Sequence, residues 1–449
     1  MSSSGAVPPA ADQSGLIANT GIVGPVLEFD WADVEIGVGA YDEGPTGVTV
    51  VRFKTRCSAA VDVRGGGPGT ASTDLLRLGY PTPFVDAVVF AGGSAYGMET
   101  ITAVAGALKD DGVRSGAWDN VAIVPGAIIY DFGNRRLNEI YPDKRLAVAA
   151  LHAARPGVFP LGAQGAGRMA MQGYYFRSFT HSGQGGAFRQ QGPTKVAVFT
   201  VVNALGAVTG RDGRMVTAHP ARSWGRAQKT TELLQRVPAS LAPDPGASAA
   251  ERAFGVPGER NTTVSLVVTN QKLESWALQR LAVQVHTSMA RAIQPFSTMF
   301  DGDTLFALST QEVENPELTP LTLGAIASEA MWDAVLASVP DQESPVAPAV
   351  PVSVPADLLA AYAGTYRFGP AAELTARAEG GRLLIRSSGT GPVFEFDRET
   401  PAAMVPLSTG AFFADGRYKT RIGFTRDPGG RVTGAVLNPG RWGQRGVRS

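Results

Sequence analysis

The sequence predicts a layered α/β (α+β) core followed, beyond a proline-rich spacer, by a small all-β domain. Between residues 31 and 213 short β-branched runs alternate with Gly-rich turns and Ala-rich segments, the signature of strands and helices packed in layers. From Val264 onward a buried-strand run feeds a long apolar repeat of helical period. Five prolines (Pro340, Pro345, Pro348, Pro351, Pro355) then mark a semi-rigid boundary, after which only short strand-like runs and Gly turns follow.

In chain order, Val48–Phe53, Ala87–Ala91 and Val121–Ile129 read as strands, and Ala103–Leu108 and Arg145–Ala154 as helices. Residues 214–260 are rich in Ala, Pro, Gly and Arg and read as a long connection, apart from a short helix over Lys229–Arg236. Val264–Thr269 is a buried strand. Leu273, Trp276, Ala277, Leu281, Val285, Met289, Ala292 and Ile293 recur on one helical face, with Asn270 or Gln271 near the start and Pro295 past the end. A strand over Thr304–Thr310 and a helix over Leu323–Val339 complete the core. In the last region the expected strands are Thr375–Ala378, Leu383–Ser387, Val393–Phe396, Phe412–Phe413, Thr420–Phe424 and Val432–Leu437, separated by Gly-rich turns. They suit a small barrel.

The 449 residues carry 40 basic and 40 acidic side chains, a balance that argues against nucleic acid or an anionic membrane as partner. The lone Cys57 and four widely spaced His residues (His152, His181, His219, His286) give no metal-ligand spacing and no internal disulfide, so neither metal nor cofactor is expected. Residues 1–13 lack the basic start and apolar run of a secretory signal, and Val196–Gly210, an uncharged stretch that no other exceeds in length, is too short to span a bilayer. A cytoplasmic location is the expectation. Glycine is abundant, 54 of 449 residues against a usual ~7%.

Three groups of residues have the chemistry of a site. Asn261-Thr-Thr263 lies where the loose connection meets a buried strand. Thr there serves as an ordinary strand-edge residue or, if the chain is cut before Thr262, as a nucleophile whose own α-amine, with pKa about 7.7–8.0, is the base. Asp301-Gly-Asp303 is either an acidic turn or a pair of carboxylates that shift each other's pKa and orient a hydroxyl and an amine. Tyr130 and Asn203 end apolar strands, as satisfied buried polar groups or as donors to an oxyanion. Arg64-Gly-Gly-Gly-Pro-Gly69 and Gly92-Gly-Ser-Ala-Tyr-Gly97 match no nucleotide-binding pattern and suit close backbone packing or a substrate-lining loop.

In order, Thr46-Gly-Val-Thr-Val-Val51, Ala60-Val-Asp-Val-Arg-Gly-Gly66, Ala91-Gly-Gly-Ser-Ala-Tyr-Gly97, Ile128-Ile-Tyr-Asp-Phe132, Gly183-Gln-Gly185, Asn261-Thr-Thr263 and Phe300-Asp-Gly-Asp-Thr304 resemble one family. It is the self-cleaving N-terminal-nucleophile-like hydrolases that include the L-aminopeptidase/D-amidase (β-peptidyl aminopeptidase) enzymes. Within it, Glu43-Gly-Pro-Thr-Gly47, Tyr141-Pro-Asp-Lys144, Gln284-Val-His286, Ile293-Gln-Pro-Phe296, Leu323-Gly-Ala-Ile-Ala-Ser-Glu329 and Met331-Trp-Asp-Ala-Val335 look most like the branch that hydrolyses nylon (6-aminohexanoate) oligomers.

The resemblance, over residues 28–339, implies a four-layer αββα sandwich made as an inactive precursor. Self-cleavage would give an α chain, 1–261, and a β chain from 262, assembled into homotetramers. Residues 1–27 would form a tail, 340–356 a linker and 357–449 the barrel. It implies Thr262 as nucleophile, Asn261 before the scissile bond, Asp301 and Asp303 as orienting carboxylates, and Asn203 and Tyr130 at the oxyanion; Gly93, Ser94, Tyr96 and Tyr174 would bind substrate. The implied activity is hydrolysis of a linear amide through an acyl-enzyme, with aminopeptidase or amidase action on β- or D-residue peptides, or acyl transfer, as alternatives. One departure stands out: the nylon branch carries a lysine shortly before the GQG segment, whereas here no lysine occurs between Lys144 and Lys195 and Tyr174 takes the place. The C-terminal Tyr362-Ala-Gly-Thr-Tyr366, Leu374 and Phe424-to-Val432 pattern is similar to the lipocalin-like barrel that follows serine β-lactamase-like hydrolases.

Overall fold

The computed structural model describes residues 13–80, 84–132, 140–176, 180–216, 229–240, 261–339, 352–369, 372–389, 396–414, 420–439 and 443–449. The expected proline-rich spacer falls outside them over residues 340–351, as does most of the 214–260 connection.

A single hydrogen-bonded sheet supplies both inner layers of the core. Its main strands are β1 (Val34–Tyr41), β2 (Thr46–Val63), β3 (Phe84–Ala91), β4 (Gly126–Ile128), β5 (Gln184–Gln191), β6 (Thr194–Asn203), β7 (Thr262–Gln271) and β8 (Thr304–Val313), in the order β5-β6-β7-β8-β2-β3-β4 with β1 also on β2. Strand β2 runs for 18 residues and joins the layers. Its first half pairs with β1 and its second half with β8, while its pairing to β3 shifts register between Arg52 and Cys57. Phe29, Val51, Phe90, Phe199, Leu266 and Phe306 fill the space between the layers.

Helices cover both outer faces. On one side α1 (Glu99–Asp110) and α2 (Lys144–His152) pack Val104, Leu108 and Leu146 on Val48, Val50 and Val89. On the other, α4 (Ser275–Ser288) and α5 (Pro320–Ala337) pack Leu281, Val285, Met331 and Val335 on Val198, Val267 and Leu305. The result is the expected αββα sandwich, held by apolar faces too large to leave in water. Between these helix pairs in sequence lies α3 (Thr230–Ser240). Glycine sets the closest approaches: a Cβ on Gly185 of β5 would lie 1.8 Å from the Ala334 carbonyl oxygen of α5, and one on Gly37 of β1 would lie 1.9 Å from that of Ala150 in α2. The start of α2 is fixed by Asp143, whose carboxylate accepts from the Leu146 N–H at 3.0 Å.

Two expected elements are shorter. Of Val121–Ile129 only Gly126–Ile128 pairs as a strand; the Asp86 carboxylate takes the Ile123 N–H at 2.9 Å, and Pro125 has no N–H to give a ladder. The helix expected through Ile293 ends at Ser288, with a 3-10 turn Met289–Arg291, and Ile293 instead pairs with Val208. Asn270 and Gln271 belong to β7 and do not start the helix, which is preceded by Glu274.

Beyond residue 352, the short helix α6 (Ala356–Tyr362) leads into a closed antiparallel barrel. Its strands are β9 (Gly364–Arg367), β10 (Glu373–Glu379), β11 (Arg382–Ser387), β12 (Ala402–Pro406), β13 (Ala411–Ala414), β14 (Arg421–Arg426), β15 (Val432–Leu437) and β16 (Gln444–Arg448). Closure removes the sheet edges. Tyr362 stacks on Phe424 at 4.2 Å and Tyr366 donates to the Tyr362 carbonyl at 2.7 Å, and Tyr362, Tyr366, Leu374 and Val432 of the lipocalin-like pattern lie in the barrel's core with Phe424 packed against it. Strands β9, β12 and β16 carry weaker apolar alternation and were not among the expected ones; the expected Val393–Phe396 strand falls largely outside the described residues.

Candidate active site

Strand order brings the three residue groups together. Strand β7 lies between β6, antiparallel, and β8, parallel. An antiparallel neighbour places the end of β6 beside the start of β7, so Asn203 is paired with Thr262. A parallel neighbour places the two strand starts side by side, so the Asp301-Gly-Asp303 turn that enters β8 lies next to Asn261-Thr262. Asn261 and Asp301 indeed form a parallel bridge. All of Asn261, Thr262, Asp301 and Asp303 are buried.

The Thr262 hydroxyl donates to the carbonyl oxygen of Asn261 at 2.6 Å. The same oxygen accepts from the Gly302 N–H at 2.8 Å. The hydroxyl therefore rests against the carbonyl group of the bond that precedes it.

Neither aspartate is hydrogen-bonded to that hydroxyl; both hold backbone around it. The Asp303 carboxylate accepts from the Thr263 N–H at 2.6 Å, the Ser297 N–H at 2.9 Å and the Ser297 hydroxyl at 3.4 Å. Asp301 accepts from the Thr298 N–H at 2.9 Å, the Thr298 hydroxyl at 2.6 Å and the Leu205 N–H at 3.3 Å. Burial pushes the Asp301 carboxyl above its ordinary range despite these donors. Asp303 is pushed well above, by burial first and then by the charge of Asp301.

The Arg64-to-Gly67 segment straps this turn by close backbone packing. The N–H groups of Arg64 and Gly65 donate to the Asp303 carbonyl, at 3.1 and 3.2 Å, and that of Gly67 to the Asp301 carbonyl at 2.8 Å. A Cβ on Gly65 would stand 2.3 Å from the Asp303 nitrogen, so only glycine lets the strands of chain approach this closely.

On the opposite flank the Asn203 carboxamide donates to the Tyr130 carbonyl and accepts from the Met171 N–H, both at 3.1 Å. Tyr130 follows β4 and its ring meets Phe132 edge-on at 6.1 Å; Phe132 meets Tyr96 at 6.1 Å, and Tyr96 meets Tyr141 at 5.7 Å. Tyr96 is 66% exposed, so an aromatic series runs from the surface inward to Tyr130. Its loop is docked by Gly93 N–H to the Asp131 carboxylate at 2.8 Å and by Ser94 N–H to the Ile129 carbonyl at 3.0 Å. Gly93, Ser94, Tyr96 and Tyr130 thus belong to one patch joined to Thr262 through Asn203. Tyr174 stands apart from it: it is buried with Met171, Leu205 and Phe300, behind the Leu205 N–H that serves Asp301.

Sequence reasoning passed over Ser297, Thr298, Leu205 and Gly302. The first two carried a signal, since short hydroxyl side chains just before an acidic turn habitually bond its carboxylates and backbone. The backbone N–H groups of the others carried none. A cavity of 560 Å³ between core and barrel, lined among others by Asp42, Glu43, Gln164, Arg168 and Arg445, includes none of these site residues.

The sandwich fold resembles that of the solved structure of a Burkholderia sp. beta-aminopeptidase, with a TM-score of 0.51 at 18% identity over 73% of this chain and 91% of that one. Residues 29–351 match peptidase family S58, and the chain belongs to that family. It is 39% identical over 322 residues to the 6-aminohexanoate-oligomer endohydrolases of Agromyces sp. (strain KY5R) and Paenarthrobacter ureafaciens, spanning 69% of this chain and 85% of each relative. The protein is accordingly a hydrolase acting on amide bonds. The family match stops short of the first barrel strand. Among the described residues no helix is long and apolar enough to cross a membrane.

Proposed function

We propose that the chain cuts itself between Asn261 and Thr262 and that the exposed Thr262 is the nucleophile of an amidohydrolase for linear amides, 6-aminohexanoate oligomers foremost. The observation that carries this reading is the Thr262 hydroxyl held 2.6 Å from the Asn261 carbonyl oxygen, at the start of a central strand. Cleavage would give Thr262 an α-amine of pKa about 7.7–8.0, able to take the hydroxyl proton as Oγ1 attacks a substrate amide and to pass it to the leaving amine. Water then resolves the acyl-enzyme. Asp301 and Asp303 act as positioning residues, fixing the backbone at Leu205, Thr263, Ser297 and Thr298. Asn203 and Tyr130 steady the substrate carbonyl.

The substrate assignment rests on the 39% identity to the oligomer endohydrolases and on the aromatic series from Tyr96 to Tyr130, a surface suited to methylene chains between amides. The α chain is residues 1–261, the β chain begins at 262 and retains the barrel, and processed protomers assemble as a cytoplasmic homotetramer.

Denaturing mass spectrometry of the purified chain tests the cut. Dividing 46.9 kDa at residue 261 gives fragments of roughly 27 and 20 kDa. Thr262→Ala is expected to remain whole and to release no product from nylon oligomers, β-peptides or D-amino-acid amides assayed side by side. A whole chain of full activity, or full activity in Thr262→Ala, would refute the mechanism.

A further inference from the structure

We infer that the backbone N–H of Gly302 is the oxyanion donor for chain cleavage, an inference that rests on the cut between Asn261 and Thr262. In the step concerned Thr262 Oγ1 bonds to the carbonyl carbon of Asn261, and the carbonyl π pair moves onto the Asn261 oxygen. The oxygen then collapses back as the C–N bond to Thr262 breaks, and the hydroxyl proton ends on the departing nitrogen. The product is an ester of Asn261 on Thr262 Oγ1 with a new α-amine. Water hydrolyses that ester to the Asn261 carboxylate and restores the hydroxyl.

The negative charge therefore develops on one identifiable atom, the Asn261 carbonyl oxygen. The Gly302 N–H already points at it from 2.8 Å, inside the 2.7–3.1 Å range of effective oxyanion donors. Three features make the donor preorganised. The Asn261–Asp301 bridge fixes the two chains side by side. The carboxylates on either side of Gly302 are each anchored by backbone N–H groups. The glycine strap holds the carbonyls of Asp301 and Asp303 from behind.

The residue type fits the same role. A Cβ at 302 would stand 2.6 Å from Thr262 Oγ1 and 2.9 Å from the Gly67 carbonyl oxygen, so glycine alone leaves the hydroxyl space to swing from the carbonyl oxygen onto its carbon. The Asn203 carboxamide, meanwhile, is engaged with the Tyr130 carbonyl and the Met171 N–H. A backbone donor at 302 lets cleavage proceed without redirecting it.

The test replaces one N–H by an ester oxygen without altering any side chain. Cell-free translation with glycolic acid at position 302 removes the donor; glycolic acid at position 67 is the control, because it removes an N–H bond of the same 2.8 Å length to a carbonyl of the same turn. Cleavage at 261–262 is followed by intact-mass spectrometry, which separates it from hydrolysis of the new ester. Slowing of roughly 10²–10³-fold at 302, with less than about tenfold at 67, is expected. Equal slowing in both chains, or wild-type speed at 302, overturns the inference while leaving the self-cleavage reading intact. A wild-type chain that never cuts defeats that reading first. Should the 302 ester not fold, the Thr262→Ala precursor carrying ¹³C at the Asn261 carbonyl answers by infrared spectroscopy. A band lowered by hydrogen bonding supports the donor, and one at the position of a non-bonded amide overturns it.

Discussion

Asp303→Asn, made in a Thr262→Ala chain so that one intact polypeptide unfolds, should lose stability at low pH and recover it as pH rises. The carboxyl at 303 receives the Thr263 N–H on one oxygen and the Ser297 N–H and hydroxyl on the other. An amide can accept on one side only and turns an NH₂ towards a donor on the other, a loss of about 1–3 kcal/mol for a buried group. Against this stands the protonation of Asp303, whose folded pKa lies well above its unfolded value through burial and the Asp301 charge. Between those two values the folded chain holds a proton that the unfolded chain has released. Stability of the parent then falls as pH rises, by about 1.4 kcal/mol for each pH unit over which the two states differ by a full proton. The asparagine chain has no such titration at 303, whereas Asp301, raised by burial, titrates in both chains. The deficit of the variant should therefore be greatest near pH 4.5 and shrink or reverse by pH 8. Urea unfolding followed by tryptophan fluorescence suits the measurement, since Trp31, Trp118, Trp224, Trp276 and Trp332 precede the barrel and only Trp442 lies in its sequence. A constant difference between the two chains from pH 4.5 to 8 would show that Asp303 titrates as an ordinary carboxyl and would refute the coupling.

Two further substitutions test the scaffold in the same background. Gly185→Ala places a methyl 1.8 Å from the Ala334 carbonyl oxygen, so α5 must retreat by more than an ångström or the strand must bend; a loss of about 1–3 kcal/mol is expected, read as a lower thermal midpoint, and an unchanged midpoint would contradict the close packing of β5 and α5. Asp143→Ala removes the cap of α2 and the acceptor of the Tyr41 hydroxyl, which lies 2.7 Å from the carboxylate. About 2–3 kcal/mol should be lost. The Tyr41 phenol, pushed up to about 12 by burial first and by Asp143 second, should titrate lower in this variant while staying above 10, as followed by ultraviolet absorbance of the tyrosinate.

The elements that could be read from sequence are those whose pattern is local. Leu281, Val285 and Met289 follow a helical period because one face of α4 and its 3-10 extension is buried, and Val264, Leu266, Val267 and Val268 place apolar side chains on both faces of β7 because that strand is covered on both sides. Where a distant side chain intervenes, the local pattern misleads, as when Asp86 takes the Ile123 N–H and leaves only Gly126–Ile128 in the sheet. The bend of β2 across both layers has no local sign either, for its two halves differ only in their partners, β1 and β8.

The same distinction governs the site. Thr262, Asp301, Asp303, Asn203 and Tyr130 stood out because each is a chemically capable side chain at the edge of an apolar run. What binds them into one place is a topological fact: β7 and β8 run parallel, so a threonine that begins one strand and a turn that begins the other must be neighbours. The contacts this creates are largely made by main-chain N–H groups, of Gly302 to Asn261, Thr263 to Asp303 and Leu205 to Asp301. A backbone donor has the same chemistry at every non-proline residue, so no motif announces which one is aimed at a reacting atom. The exception is indirect. Glycine at 302, 65 and 66 records how little room the turn leaves, and the glycine excess of the chain is in part the imprint of a site assembled from backbone.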